Sequence, residues 1–175
     1  MKKLFGSYTL FRQWEMGARD EVMARIWGTH YEPTERMQAG QDLHTLAAEN
    51  KLKALPFIND SWLWESDKDN YYTHDLHDWL QLRCKIDLWD GKTIILDWKT
   101  GTKHSWEHDT KQIWFYAWML KQKGFDIKEG YIVKLSKDLK VEGVTRILIT
   151  PEKLVAIENW IETIATDIFS MANES

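Results

Sequence analysis

A single cysteine, Cys84, stands among 175 residues. No intramolecular disulfide can form, so a reducing, cytoplasmic setting is the expectation. The same scarcity excludes a cysteine-ligated iron–sulfur cluster built within the chain. No apolar run approaches the ~20 residues that a membrane-spanning helix needs, so no membrane partner is expected. The opening Met1-Lys2-Lys3-Leu4-Phe5 gives way at once to Gly6, Ser7 and Tyr8, which does not read as a secretory signal. Internal repeats, low-complexity linkers and a phosphate-binding loop motif are all missing. Positive charge is also short: the net charge is −4, which argues mildly against a polyanionic partner.

What is present describes one well-filled domain over residues 1–175. Hydrophobic residues make up 43% of the chain, enough for a core, and the 29% charged fraction fits neither disorder nor a fibrous class. Eleven tryptophans stand out. Core filling is their plainest use, and an exposed tryptophan is a platform for flat partners such as bases.

The patterning alternates helices and strands. Ser7 to about Trp27 reads as helical with a break at Gly17. A second helix runs from near Pro33 to Asn50, with Met37, Gly40, His44 and Ala47 on one face, so His44 is expected to point inward. Ser61 to Glu65 is a short strand candidate. From Leu80 to Leu88 apolar and polar residues alternate, giving a strand that presents Gln81, Arg83, Lys85 and Asp87 on its polar face. Thr93 to Lys99 is apolar on both faces, as a central strand would be. A helix over Thr110 to Gln122 stops before Gly124, strands cover Gly130 to Leu135 and Thr145 to Ile149, and Thr150-Pro151 opens a last helix striped by Leu154, Ile157, Ile161, Ile164 and Ile168. This order implies an α/β sandwich, a central mixed sheet flanked by helices.

Between the two acidic strands, Asp90-Gly91 resembles a two-residue turn signal. Parity argues against that turn. Side chains alternate along a strand, and a tight turn pairing Trp89 with Lys92 would put Asp87 and Asp97 on opposite faces. A common site for both carboxylates requires an odd loop or a bulge, with Gly91 as its left-handed residue.

Asp97 and Lys99 lie two apart in the central strand and share a face, with Asp87 on the neighbouring strand able to reach the same spot. Buried charges there are costly unless paired or metal-bound. A strand-end salt bridge is one reading of the pair. The other is chemistry: carboxylates hold Mg2+ or Mn2+, the metal polarises a phosphate and acidifies water, and the lysine orients water or neutralises developing charge. Arg83 and Lys85 share the face of Asp87 and either meet phosphates or form a solvated strand face. His74-Asp-Leu-His77 and His104-x-x-x-His108 have zinc-like spacing but no completing ligands, and read better as loop residues at the sheet edge. Glu65 lies outside this set and is a further carboxylate able to add to the site.

At this point the sequence resembles a known family. Asp87, then Asp97-Trp98-Lys99-Thr100-Gly101, then Gln112-Ile-Trp-Phe-Tyr116 are similar to the ordered motifs of RecB-like nucleases of the PD-(D/E)XK superfamily. Gly40-Gln-Asp-Leu-His44 resembles that family's helical histidine motif, and Ser7 to Trp14 its first helix. The resemblance implies a metal held by His44, Asp87, Asp97 and the main-chain carbonyl of Trp98. It implies Lys99 as the catalytic lysine, acting with Asp87 and Asp97, and Gln112 and Tyr116 as supports for Lys99 or contacts to the DNA backbone. Cys84 stands where the family usually has glycine three residues before the Asp87 position. The family's cysteine cluster is absent, so the likeness is to members without an iron–sulfur cluster. A bound divalent cation would offset the acidic net charge locally.

The implied function is a divalent-metal-dependent deoxyribonuclease that hydrolyses phosphodiester bonds, an exonuclease on single-stranded or frayed ends, with any helicase or recombination partner a separate protein. The alternatives are a non-catalytic nucleic-acid-binding or scaffold module and a structure-specific endonuclease.

Overall fold

In a computed structural model, the protein is described over residues 3–27, 34–101 and 105–174. Its elements run β1 (Leu4–Gly6), α1 (Tyr8–Glu15), α2 (Arg19–Ile26), α3 (Glu35–Glu49), β2 (Leu63–Trp64), β3 (Tyr71–His77), β4 (Leu80–Lys85), β5 (Leu88–Trp89), β6 (Ile94–Thr100), α4 (Trp106–Lys121), β7 (Glu129–Leu135), β8 (Val141–Leu148) and α5 (Pro151–Glu174). Among the described residues no helix is long and apolar enough to cross a membrane.

Local chemistry sets the helix ends. The Ser7 hydroxyl accepts from the Leu10 N–H and caps α1, and Thr34 does the same for Met37 at α3. The expected break at Gly17 is real: its φ of +88° turns the chain between α1 and α2. The last helix begins at Pro151 as read, and its five-residue apolar stripe is buried throughout.

The strands form two sheets, ordered β1-β4-β3 and β2-β5-β6-β7-β8. β6 sits at the centre of the larger one, antiparallel to β5 and parallel to β7, with α4 as the crossover. It is apolar on both faces because both are covered. Ile95 joins the core beneath α4 and α5, whereas Leu96 and Trp98 join a second core with Ala47 and Ala48 of α3, Trp62 and Trp64. α4 approaches very closely: a Cβ on Gly130 of β7 would lie 2.4 Å from Ile113 Cγ2, so only glycine admits the helix at this depth.

Three sequence expectations need correction. The run from Leu80 to Leu88 is not one strand; it changes sheets at Ile86–Asp87, where β4 hands over to β5. The corner is held from outside, since the buried Asn70 amide donates to the Ile86 carbonyl and the Glu65 N–H to the Asp87 carbonyl. The segment holding His74 and His77 is the seven-residue strand β3, not a loop, and β1 was not foreseen at all. Met37, expected on the inward face of α3, is exposed.

The β5–β6 connection has the odd loop that parity required. Leu88 pairs with Leu96 and Trp89 with Ile95, and the Asp90 N–H donates to the Ile94 carbonyl. Gly91, Lys92 and Thr93 remain as the loop, with Gly91 at φ +74°. Extending the register by one residue sets Asp87 opposite Asp97, on one face.

Candidate active site

Four elements converge at the C-terminal half of β6. The β6 backbone carries Asp97 and Lys99 toward α4, with Asp97 buried at 1% exposure and Lys99 half-buried. The Lys99 ammonium meets Asp97 Oδ2 at 2.5 Å, donates to Gln112 Oε1 at 2.7 Å, and lies 3.7 Å from Asp109 Oδ1. Gln112 cannot flip freely, because its Nε2 donates to the Tyr116 hydroxyl at 2.7 Å. Asp109, Gln112 and Tyr116 share a face of α4 by their spacing of three and four. Asp109 is not among the sequence candidates, because a helix expected from Thr110 leaves it outside, whereas α4 begins at Trp106.

Across the hairpin, Asp87 Oδ2 accepts the Trp98 N–H at 2.8 Å, while Oδ1 lies 3.4 Å from His44 Nδ1. So α3 does deliver His44 inward. The Trp98 side chain is fully buried on the opposite face, so only its main chain adjoins the site. Glu65, just past β2, completes the constellation. His44, Glu65 and Asp87 each bring one ligand atom within 4.8 Å of the others. Gln41, one helical turn before His44, donates to Glu65 Oε1 at 3.1 Å, and Glu65 Oε2 is buried without a hydrogen-bond partner.

The protonation states follow from this crowding. Burial alone would lower His44, but the carboxylates of Asp87, Asp97 and Glu65 raise it to about 9. Burial pushes the Asp97 carboxyl up, reinforced by Asp87 and opposed by Lys99, to about 6. Asp87 faces the same burial, yet the His44 imidazole, the Trp98 N–H and Lys99 hold it below the usual carboxylate range. Lys99 stays a firm ammonium: burial lowers its pKa, and Asp97, Asp109 and Asp87 raise it further. By contrast, burial lifts the Cys84 thiol to about 12, which makes it inert.

The residues fit a divalent cation. Two carboxylates and an imidazole converge, one carboxylate oxygen is buried without a partner, and a proton on His44 offsets their unbalanced negative charge. A cation would take over that proton's role.

Beside this centre, Arg83, Lys85, Tyr71, Gln112 and Tyr116 line a shallow groove of about 240 Å³. Lys85 is exposed, and the Arg83 guanidinium lies over the Phe5 ring at 3.5 Å. The other described histidines lie outside the metal group. His77 pairs with Glu162 and stacks on Trp79, and His74 packs edge-on against Trp118. His104 lies outside the described residues.

An α/β sandwich whose central strand presents Asp-x-Lys beside a second aspartate defines a class of phosphodiester-cleaving enzymes. The sequence pattern of the PD-(D/E)XK nuclease superfamily matches over residues 2–175, and the chain belongs to that superfamily. The fold is similar to that of an alkaline exonuclease, LHK-Exo, from Laribacter hongkongensis, with a TM-score of 0.66, 13% identity, and coverage of 97% of this chain and 90% of that one. A putative exonuclease from Eubacterium rectale gives 0.65 and 12%, covering 97% and 82%. A phage-related exonuclease from Haemophilus somnus 129PT gives 0.60 and 10%, covering 90% and 82%. At these identities the likeness is one of fold. No curated protein matches the sequence.

Proposed function

We propose that the protein is a divalent-metal-dependent deoxyribonuclease, an exonuclease acting on single-stranded or frayed DNA ends. The observation that carries this reading is the convergence of Asp87, Asp97 and Lys99 with His44 and Glu65 at one buried corner of the sheet. The three similar structures named above are all exonucleases by description, and LHK-Exo also has a structure in complex with dAMP.

His44, Asp87, Asp97 and the Trp98 carbonyl hold Mg2+ or Mn2+, with Glu65 as an added carboxylate. When bound, the ion supplies Lewis-acid polarisation of a phosphate oxygen and acidification of water. The chain's own groups do the rest. Lys99 meets Asp97 at Oδ2. Its ammonium, fixed by Asp97 and Gln112, neutralises charge developing on the phosphate oxygens or orients the attacking water. Tyr116 locks the Gln112 amide so that its carbonyl oxygen faces Lys99. Arg83 and Lys85 offer phosphate contacts along the adjoining groove.

A non-catalytic scaffold is disfavoured because such a module has no use for keeping His44 and Lys99 intact beside the costly buried carboxylates of Asp87 and Asp97. The deciding experiment is digestion of end-labelled and circular single-stranded DNA with Mg2+, Mn2+ or EDTA. Metal-dependent loss of the linear substrate with the circle spared is expected. Cleavage of the circle would make the enzyme an endonuclease, and no cleavage of either would overturn the nuclease reading.

A further inference from the structure

A second cavity, of about 410 Å³, opens on the other face of the β6 terminus, between α3, Thr100 and the β7–β8 hairpin. That volume lies in the range of small-molecule sites, roughly 300–1,000 Å³. Its floor is apolar, from Leu43 and Leu135, and its rim carries Arg36, Lys134 and Lys137 against one carboxylate, Glu142. A local excess of positive charge is notable in a chain of net charge −4. Lys134 is 3.6 Å from Glu142, whereas Arg36 and Lys137 have no ion-pair partner among the described residues.

The cavity is tied to the active site through two elements. Arg36, Gly40 and His44 follow one another at helical spacing on α3, so the Arg36 Cα stands about 12 Å along the axis from that of the candidate metal ligand at ~1.5 Å per residue. Thr100 follows Lys99 on β6 and points to the opposite face. Gly40 borders this space, and a Cβ there would lie 3.5 Å from Thr100 Oγ1, in ordinary contact, so that only a longer side chain would reach into the cavity.

We infer that this cavity binds a nucleotide of the substrate strand adjacent to the scissile one, its base on the apolar floor and its phosphate between Arg36 and Lys137. This rests on the nuclease reading above. The strand then wraps the C-terminal end of β6, with cations on both sides: Arg83 and Lys85 on one, Arg36 and Lys137 on the other.

The test is binding of a fluorescein-labelled twelve-nucleotide oligo(dT) in EDTA, where no cleavage interferes, across a salt series. For the pair Arg36→Glu with Lys137→Glu, affinity should fall at least about tenfold and the slope of log affinity against log salt should flatten by about 1. Gly40→Leu, which fills the cavity without changing charge, should weaken binding while leaving the salt slope intact. Mn2+ affinity and thermal unfolding report whether α3 itself is disturbed. Unchanged oligonucleotide affinity and slope in both variants would overturn the inference, as would an equal loss of Mn2+ affinity, which would place the effect on His44. A wild-type protein that binds and cleaves DNA while the variants match it defeats the cavity alone; a wild type that binds no DNA defeats the nuclease reading with it.

Discussion

Asp87 and Asp97 face each other across the β5–β6 hairpin because the loop between their strands has three residues rather than two. Asp90 fixes that length. Its Oδ1 accepts the N–H groups of Lys92, Thr93 and Ile94 at 2.8, 2.8 and 2.9 Å. Asp90→Ala leaves these donors without their acceptor and should cost about 1–3 kcal/mol of stability. It should also weaken Mn2+ binding, since the loop sets the register of both carboxylates. Urea unfolding alongside a Mn2+ titration measures both; unchanged affinity would mean that the register is set elsewhere.

In the proposed site Lys99 is not a ligand, and its removal should separate binding from chemistry. Lys99→Ala should reduce single-turnover cleavage to background while Mn2+ affinity stays near that of the wild type. Gln112→Ala should have a smaller effect on cleavage, roughly one to two orders of magnitude, because Asp97 still holds the ammonium. Wild-type turnover in Lys99→Ala would remove the lysine from the mechanism.

The pH dependence follows from His44. Its pKa in the folded protein is raised to about 9 from an unfolded value of 6.5. The metal-free protein therefore gains stability from this group below pH 6.5, and loses it as pH rises through 9. Metal binding runs the other way, because a protonated imidazole cannot ligate. Mn2+ affinity should climb steadily between about pH 6.5 and 9, and the climb should vanish in His44→Ala. Thermal melts with EDTA and with Mn2+ across that window should converge at low pH and separate at high pH.

The sequence showed the site's residues more clearly than its frame. His44, Asp87, Asp97 and Lys99 stand at spacings that strand and helix periodicity convert into shared faces, Gln112 and Tyr116 enter through the motif resemblance, and the structure brings these side chains together. The parity of Asp87 and Asp97 even gave the loop length. The β4–β5 handover was not legible, since period-two alternation continues unbroken through Ile86 and Asp87 while the pairing partners change. β3 was hidden by its composition: Tyr-Tyr-Thr-His-Asp-Leu-His is polar because it forms an edge of the smaller sheet. Asp109 was hidden because α4 was read as starting at Thr110, whereas its first turn reaches back to Trp106.

Gly130 tests how the helix is seated. Its missing Cβ lets Ile113 approach β7, and Gln112 beside it then reaches Lys99. Gly130→Ala should overpack this contact at a cost of about 1–3 kcal/mol and lower cleavage by lifting Gln112 from the ammonium. Ile113→Val in the same chain should recover part of both losses. A fully stable Gly130→Ala protein would show that α4 shifts without consequence.

Glu65 decides the composition of the metal set. The family resemblance places His44, Asp87 and Asp97 around the ion, whereas in the metal-free geometry the ligand atoms closest together belong to His44, Glu65 and Asp87. The two sets are compatible if Asp97 contributes a carboxylate oxygen beside Lys99, and Glu65 contributes its unpartnered Oε2. Glu65→Gln preserves shape and the Gln41 contact but removes the charge, so Mn2+ affinity should fall about tenfold, ~1.4 kcal/mol, with cleavage recoverable at saturating metal. Asp97→Asn should lose both binding and cleavage at any metal concentration, because it also strips Lys99 of its buried counter-charge. Isothermal titration with Mn2+, run on both variants at one pH, separates the two roles; equal affinities for Glu65→Gln and the wild type would exclude Glu65 from the coordination shell.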